Sequence, residues 1–416
     1  MKRTVIVIGD GIVGLACAYH LRRAGLSTIL LGPGKAAATA SWGNAGHLAV
    51  EQVEPLASRK AMRRALRQLF GGTGPVRLPA GEATRWLPFF LRLAGASGTA
   101  RFRRGTVALT ACMRRAAPAW RALLEAIGHP GLLCESGHFV VWESPRTARA
   151  GKAGWSATDT GPASFREVTR EEMAQLAALV QRPIHGAIRF AGTGQFTDPG
   201  ALLARLERAI VAAGVTRERA LASRIEPGHD GGGIVETDAG ERLHADAIVV
   251  AAGVASASLL SPTRLPVPII AERGYHIQAQ ADGWPDGMPP VVFEDRSIIV
   301  TNFTSGLRAS GFVEFARADR PPDPACWQVL ERQIAELGLP FGTPVARWMG
   351  PRPTLPDYLP AIGRSARWPA VYYAFGHQHL GLTMAAVTAE IVRDLVTGTE
   401  PPLDIRPFDL TRFGRA

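Results

Sequence analysis

Cysteine is scarce in this sequence of 416 residues, and the four that occur are spread along the chain. They are Cys17, Cys112, Cys134 and Cys326, and none of them forms a Cys-x-x-Cys pair. A zinc knuckle and a disulfide framework both need closely spaced cysteines, so the sequence predicts neither of them. A reducing cytoplasm is therefore the expected compartment.

Long apolar runs are lacking as well. No stretch of about eighteen uncharged apolar residues occurs, and the apolar segment from Thr4 to Ile8 leads into glycines rather than into a cleavage site. We therefore expect neither a membrane span nor a signal peptide. With 46% hydrophobic and 20% charged residues the composition is that of a globular protein, and the length indicates two or three domains.

Lysine is nearly absent: all but four of the 47 basic residues are arginine, and the formal net charge is +11. The densest basic stretch, Arg59 to Arg67, has helical spacing and precedes the apolar segment Trp86 to Leu91. Together they could form an amphipathic surface that contacts anionic lipid on the inner face of the cytoplasmic membrane, although a solvated helix beside a core segment is the simpler interpretation. No nucleic-acid partner is expected, because no arginine cluster alternates with aromatics in a recognised binding motif.

A glycine-rich turn lies near the start of the chain. Residues 3–8 predict a buried strand, Gly9-x-Gly11-x-x-Gly14 follows, a helical pattern begins, and a second strand is predicted at 28–31. This order is typical of a dinucleotide-binding βαβ unit. The end of the second strand usually supplies an acid to the ribose, but here it is Gly32, so backbone, water or a neighbouring Ser/Thr must hold that sugar. No clamp for a 2′-phosphate is evident, although Lys35 follows closely.

Each residue of the turn has a predicted role in binding a diphosphate. Gly9 permits the tight turn, Gly11 lets the backbone approach the phosphates, and Gly14 lets the helix pack close to the strand. The first helical residues, Ile12 and Val13, offer N–H groups at the positive end of the helix dipole.

The remaining chain alternates between the two kinds of element. The further predicted helices and strands are a helix at 109–127, a strand at 138–142, a helix at 201–213 started by Asp198-Pro199, strands at 233–237 and 247–251, a strand-rich region at 267–315, a helix at 327–337, a strand at 371–374 and a helix at 381–396. We predict an α/β protein (α+β overall) with a discontinuous Rossmann-like nucleotide domain and an inserted mixed-sheet domain. The predicted boundaries are 1–75, 196–260 and 345–416 for the first domain, and 76–195 and 261–344 for the second. The active site is expected where they meet.

Six ordered segments carry a family resemblance. They are Ala40 to His47, Asp198-Pro199, Ala251 to Ser256, Glu272 to His276, Gly350 to Asp357, and Gly376 to Thr383. They resemble the D-amino acid dehydrogenase branch of the D-amino acid oxidase-like (DAO) family of FAD-dependent oxidoreductases, over nearly the whole chain. The resemblance implies that FAD is contacted by Ser41, Asn44, Ala45, Gly46, Ala252, Gly253, Gly376, Gly381, Leu382 and Thr383. It also implies that the last helix aims its N-terminus at the N1/C2 carbonyl edge of the flavin.

The expected substrate chemistry rests on one arginine. A planar carboxylate is matched by two parallel guanidinium N–H donors, and Arg352 lies in the proline-framed loop that the resemblance places beside the flavin. Tyr275 is a candidate second donor to that carboxylate, whereas Arg308 is expected to form a structural ion pair. Four histidines are candidate polar partners near the ring: His47, His276, His377 and His379. His377-x-His379 has no nearby carboxylate, so no metal is expected.

The resemblance implies FAD-dependent oxidation of a D-amino or D-imino acid by hydride transfer from Cα to flavin N5. The variant segments resemble the subgroup that includes D-proline and D-hydroxyproline dehydrogenases, and no cysteine lies where a covalent flavin link would form. A quinone, a dye or another protein would accept the electrons. Two alternatives stay open: a glycine or sarcosine-type amine oxidase, and a flavin electron-transfer subunit of a larger dehydrogenase.

Overall fold

The computed structural model describes residues 2–58, 76–228, 230–281, 283–343 and 345–414. Within these ranges the α-helices are α1 (Ile12–Arg23), α2 (Ala83–Ala96), α3 (Thr99–Ala126), α4 (Pro145–Ser156), α5 (Arg170–Ala178), α6 (Pro199–Ala212), α7 (Ser256–Leu260), α8 (Pro324–Leu337) and α9 (Gly381–Thr397). The strands are β1 (Thr4–Ile8), β2 (Ser27–Leu31), β3 (His47–Leu48), β4 (Val76–Arg77), β5 (Leu133–Cys134), β6 (His138–Trp142), β7 (Ser164–Glu167), β8 (Gly186–Ala191), β9 (Gly194–Phe196), β10 (Thr216–Glu218), β11 (Ala222–Pro227), β12 (Gly233–Thr237), β13 (Arg242–Ala245), β14 (Ala247–Val250), β15 (Ile270–Ala279), β16 (Val291–Phe293), β17 (Ile298–Phe303), β18 (Gly306–Ala316), β19 (Ala346–Thr354), β20 (Ala361–Arg364) and β21 (Val371–Phe375).

A six-stranded sheet forms the nucleotide-binding layer. Its strand order is β10-β2-β1-β14-β21-β20, and every neighbouring pair is parallel except β20 with β21. Val5 and Val7 of β1 belong to the apolar core shared with α1 and α9, whereas Ile6 and Ile8 face the small antiparallel sheet β11-β12-β13. Both faces of β1 are therefore covered, which explains its continuous run of β-branched residues.

A larger mixed sheet stands beside it. Its order is β19-β15-β18-β17-β16-β6-β8-β7, with β4 paired to β18. The antiparallel pairs dominate, but β16 runs parallel to β6. One face packs on α8, where Leu330 and Ile334 join Ile277 and Val300 in a single apolar cluster. The α/β class with a parallel nucleotide sheet and a mixed sheet is thus confirmed.

The two sheets draw on separated parts of the chain. The six-stranded sheet takes its strands from residues 4–31, 216–250 and 361–375, and the larger sheet takes its strands from 76–77, 138–191 and 270–354. The exact domain boundaries stay a prediction.

The apolar segment Trp86 to Leu91 lies in helix α2, which has Pro88 inside it. Proline at this point removes one backbone donor, yet the helix continues, with Phe89 and Leu93 buried and Leu87 and Leu91 exposed. The basic stretch Arg59 to Arg67 lies outside the described residues, so its contact with a membrane stays a prediction. Among the helices that the structure describes, none has both the length and the apolar character to cross a membrane.

At the turn between β1 and α1, the backbone of the helix comes very close to the backbone of the strand. Gly9 adopts φ +113°, and a Cβ atom on it would lie 2.4 Å from the carbonyl oxygen of Ala251. A Cβ atom on Gly14 would lie 1.8 Å from the carbonyl oxygen of Gly9. Backbone occupies both spaces, so these two positions admit only glycine without a shift of the strand or the helix.

We predict that Gly14→Ala lowers the thermal unfolding midpoint strongly, since overpacking against backbone costs about 3 kcal/mol or more. The matched control is Gly95→Ala in α2, where an added Cβ meets nothing within 4 Å. That variant should be neutral or stabilising by up to about 1 kcal/mol, because alanine favours helix. Equal unfolding midpoints for the two variants would show that the close crossing is not required.

Candidate active site

A cavity of about 690 Å³ runs from the β1–α1 turn to strand β19 of the larger sheet. The residues predicted from the sequence that line it are Gly9, Gly11, Ile12, Val13, Ser41, Asn44, Ala45, His47, Ala252, Gly253, Tyr275, Arg352, His377, His379, Gly381 and Leu382. The predicted residues Gly14, Gly46, His276, Gly376 and Thr383 are not part of this lining. Segments far apart in sequence therefore meet on one cavity, although the role of each residue stays a prediction.

The end of the cavity at the β1–α1 turn is suited to phosphate. No side chain caps the start of α1 at Gly11, although the Ile12 N–H donates to Ser41 Oγ at 3.1 Å. A Cβ atom on Gly11 would meet only Ser41 Oγ, at 3.4 Å, so the space in front of Gly11 belongs to the cavity. The N-terminus of α1 therefore presents backbone N–H groups and its positive dipole end to this space.

A carboxylate lies at the end of β2 although the sequence has glycine there. Asp10, between β1 and α1, is only 4% exposed, and its Cγ lies 2.5 Å from where a Cβ atom of residue 32 would be. Its Oδ2 accepts a hydrogen bond from the Gly34 N–H at 2.7 Å. The sequence analysis missed this residue because it searched for the acid on β2 itself.

Arg308 fixes the loop that resembles a flavin-contacting segment. Its Nη1 donates to the carbonyl oxygens of Trp42 at 3.0 Å and Asn44 at 2.6 Å, and its Nε donates to Gln278 Oε1 at 2.8 Å. Burial lowers the pKa of Arg308 to about 10, with the charge of Asp198 opposing that change. The expected ion pair is thus corrected: within the described chain, this guanidinium is held by backbone carbonyls and an amide.

Trp348 is a second anchor of that loop, and the sequence analysis did not identify it. Its indole N–H donates to the Ala37 carbonyl oxygen at 3.0 Å, and its ring stacks on His276 with centroids 5.0 Å apart. Cβ atoms on Gly43 and Gly350 would each penetrate the indole ring. Gly43 and Gly350 therefore leave room for the Trp348 ring, which joins the loop to β19. No local sequence pattern reveals this contact.

Arg352 lies in β19, and its positively charged guanidinium forms part of the cavity wall. Its guanidinium lies over Gly274 of β15, where a Cβ atom would come within 2.5 Å of Nη2. Its Nη1 is 3.5 Å from Glu272 Oε1, and the Arg352 side chain remains 26% exposed. Glu272 is buried and accepts a hydrogen bond from Thr354 Oγ1 at 2.9 Å. The ion pair orients the guanidinium while leaving it open to the cavity.

His47 belongs to a buried cluster that also lines the cavity. Its Nδ1 lies 3.1 Å from the Gly194 carbonyl oxygen and its Nε2 lies 3.0 Å from Glu51 Oε1. Burial alone would raise the pKa of Glu51, but the charge of His47 and its hydrogen bond lower that pKa to about 2. Both ring nitrogens of His47 therefore lie within hydrogen-bonding distance of an acceptor oxygen.

His138 completes this cluster from β6. Its Nδ1 lies 2.9 Å from Thr193 Oγ1, and burial lowers its pKa to about 3, so the ring is neutral. The candidate ligand atoms of His47, Glu51 and His138 lie within 4.8 Å of one another. The hydrogen bond between His47 and Glu51 and the edge-to-face contact of the His47 and His138 rings, with centroids 4.5 Å apart, account for this proximity. The expectation that no metal binds stays a prediction.

Two predicted catalytic side chains, those of Tyr275 and His377, form hydrogen bonds within the protein. The Tyr275 hydroxyl donates to Glu314 Oε2 at 2.6 Å and accepts from the Asp323 N–H at 3.0 Å. His377 Nε2 lies 3.0 Å from Thr388 Oγ1 of α9, and burial lowers its pKa to about 3. The Tyr275 hydroxyl and His377 Nε2 are thus paired within the protein, and the predicted contacts of these two residues with a ligand stay a prediction.

The start of α9 is joined to the opposite wall. Thr383 Oγ1 accepts a hydrogen bond from the Ala49 N–H at 3.0 Å, and His379 Nε2 pairs with Gln52 Oε1. Burial and the charge of Arg352 lower the pKa of His379 to about 3. His379 is therefore neutral at neutral pH, and the positive charge in this pair of neighbours is that of Arg352.

The cavity fits FAD at the level of its donor groups. One end has the N-terminus of α1 and a glycine whose missing Cβ leaves room for a diphosphate, and a carboxylate stands beside it. Apolar residues such as Ile298, Phe312 and Leu382 also line the cavity, and its far end carries Arg352. An elongated dinucleotide with an apolar ring would meet suitable groups along its length.

Comparisons with known proteins agree with this geometry. A model of the DAO family, described as FAD dependent oxidoreductase, matches residues 4–395. The chain is 30% identical to a D-amino-acid oxidase of Bradyrhizobium diazoefficiens, over 99% of both chains. It is 27% identical to a D-amino acid dehydrogenase of a Methylobacterium species, again over 99% of both chains. Its fold is similar to that of glycine oxidase from Geobacillus kaustophilus, with a TM-score of 0.76, 19% identity and 99% of both chains covered.

The family model covers the glycine turn, the loop that Arg308 holds, most of α9, and also Arg352. The match over residues 4–395 therefore shows that this chain belongs to the DAO family of FAD dependent oxidoreductases.

Proposed function

We propose that this enzyme dehydrogenates a D-amino or D-imino acid whose carboxylate binds to Arg352. The observation that carries the proposal is the partly exposed guanidinium of Arg352, which lies over Gly274 on the wall of the cavity that fits FAD. Full-length relatives named D-amino-acid oxidase and D-amino acid dehydrogenase support the D configuration. Family membership confirms the predicted cofactor, FAD, and the predicted class, an oxidoreductase.

Positioning is the main contribution of the protein to this reaction. FAD, when bound, accepts the hydride that leaves the substrate Cα. Arg352 would hold the carboxylate by two parallel N–H donors, and the ion pair with Glu272 limits its rotation. Fixing one end of a small substrate restricts where its Cα can lie, which lowers the entropic cost of reaching the reactive arrangement.

The amine of the substrate has to be neutral when the hydride leaves. His379, next to Arg352, is neutral at physiological pH because its pKa is lowered to about 3 by burial and by Arg352. Burial and the positive charge of Arg352 disfavour an ammonium group as they disfavour a charged His379, so they favour loss of the amine proton on binding.

The finer proposal is a cyclic substrate, D-proline or D-hydroxyproline. It rests on the resemblance of the segments Ala40 to His47 and Gly376 to Thr383 to that subgroup. A cyclic secondary amine would yield a cyclic imine, whereas a primary amine would yield an imine that water hydrolyses to a keto acid.

The test is anaerobic bleaching of the purified flavoprotein with a panel of both enantiomers of common amino acids and proline, together with glycine and sarcosine. We expect bleaching with at least one D-amino or D-imino acid and none with its L enantiomer. Bleaching by glycine or sarcosine alone would support the amine oxidase alternative. No bleaching by any member would support an electron-transfer subunit, and a parallel assay with dye or oxygen separates a dehydrogenase from an oxidase.

We predict that Arg352→Met raises KM for carboxylate substrates about tenfold or more, since a charge-assisted hydrogen-bonded pair is lost. Arg352→Lys keeps the charge but loses the planar fork, so its KM should be intermediate. The matched control is Arg347→Met on the same strand, whose exposed side chain pairs with Glu331 at 2.7 Å. Steady-state kinetics at equal FAD content measure the effect, and an unchanged KM in Arg352→Met would remove it from the substrate site.

A further inference from the structure

The acid that usually ends the second strand is replaced in space by an acid from another loop. A Cβ atom at position 32 would lie 2.5 Å from Asp10 Cγ and 2.8 Å from Asp10 Oδ2. One volume at the end of β2 thus holds either a side chain at 32 or the Asp10 carboxylate, but not both. The glycine at 32 and the acid at 10 are complementary parts of one arrangement.

The Asp10 carboxylate is only partly used by the protein. Oδ2 accepts from the Gly34 N–H at 2.7 Å, and Arg217 Nη2 lies 4.0 Å from the same atom. In the ranges that the structure describes, no hydrogen bond reaches Oδ1, although Asp10 itself lines the cavity. A second acceptor oxygen is therefore available on the wall between Gly11 and Gly32.

The neighbouring wall belongs to the nucleotide end of the cavity. Gly32 and Pro33, which follow β2, line it together with Ala220 and Leu221, which follow β10, the strand paired with β2 on the side away from β1. A diphosphate at the start of α1 would direct its adenosine toward this wall, because the flavin has to reach Arg352 at the other end.

We propose that the Asp10 carboxylate accepts hydrogen bonds from the ribose hydroxyls of the adenosine of FAD, and that it replaces the acid usually found at the end of β2. A buried carboxylate there favours a ribose with free hydroxyls and repels a sugar that carries a 2′-phosphate. This inference rests on FAD as the cofactor and is independent of which amino acid is oxidised.

The first experiment exchanges the two positions. Apoprotein of four forms is titrated with FAD by quenching of flavin fluorescence: wild type, Asp10→Gly, Gly32→Glu, and the double variant. Asp10→Gly should weaken FAD binding about tenfold or more. Gly32→Glu should also weaken it, since two carboxylates would compete for one space. The double variant should recover most of the affinity, because it restores one acid to that space.

FMN is the internal control, since it lacks the adenosine. Its affinity should change little among the four forms, whereas a collapse of FMN binding in step with FAD binding would mean that Asp10 only shapes the glycine turn. Normal FAD affinity in folded Asp10→Gly would overturn the proposal. Failure of the wild type to bind FAD would instead contradict the family assignment, so the two failures are distinguishable.

A second measurement does not depend on the folding of Asp10→Gly. Calorimetry compares ADP with 2′-deoxy-ADP on wild-type apoprotein and on Asp10→Asn, which retains the volume and an acceptor for the Gly34 N–H. The wild type should prefer ADP, and Asp10→Asn should lose much of that preference. Equal binding of both nucleotides by the wild type, or an unchanged preference in Asp10→Asn, would refute a role for Asp10 at the ribose.

Discussion

The close approach of α1 to β1 is the constraint on which the rest of the structure depends. A Cβ atom on Gly14 would lie 1.8 Å from the Gly9 carbonyl oxygen, so helix and strand are in backbone contact. This contact fixes where α1 begins, and its N-terminus consequently opens on the cavity. The same turn positions Asp10 at the end of β2. The contact between α1 and β1 therefore determines both where the N-terminus of α1 lies and where the Asp10 carboxylate lies.

The far end of the cavity depends on contacts between the two sheets. Arg308 of the larger sheet holds the carbonyl oxygens of Trp42 and Asn44, and Trp348 of β19 holds that of Ala37. The loop after β2 is thereby tied to the strand that carries Arg352. Since the glycine turn follows β1 and Arg352 lies on β19, the distance between the turn and Arg352 is set by the packing of strands rather than by a loop.

Local patterns predicted β1, β2, β14 and β21 of the nucleotide layer, but not its edge strands β10 and β20. Glycine spacing with a β-branched strand located the turn, Asp198-Pro199 located the start of α6, and the resemblance located Arg352 on the cavity. Pairings between distant residues were beyond reach, because the sequence gives no sign that Asp10 fills the space above Gly32 or that Arg308 meets carbonyls rather than an acid. Tyr275 shows the same limit: its strand was identified, but a register irregularity between Gly274 and Tyr275 is visible only in three dimensions.

A crystal structure of the protein with FAD and a small carboxylate inhibitor tests the central claim most directly. The account predicts the diphosphate against the backbone N–H groups at the start of α1, and the inhibitor carboxylate on the guanidinium of Arg352. A carboxylate bound elsewhere, with Arg352 still paired only to Glu272, would contradict it.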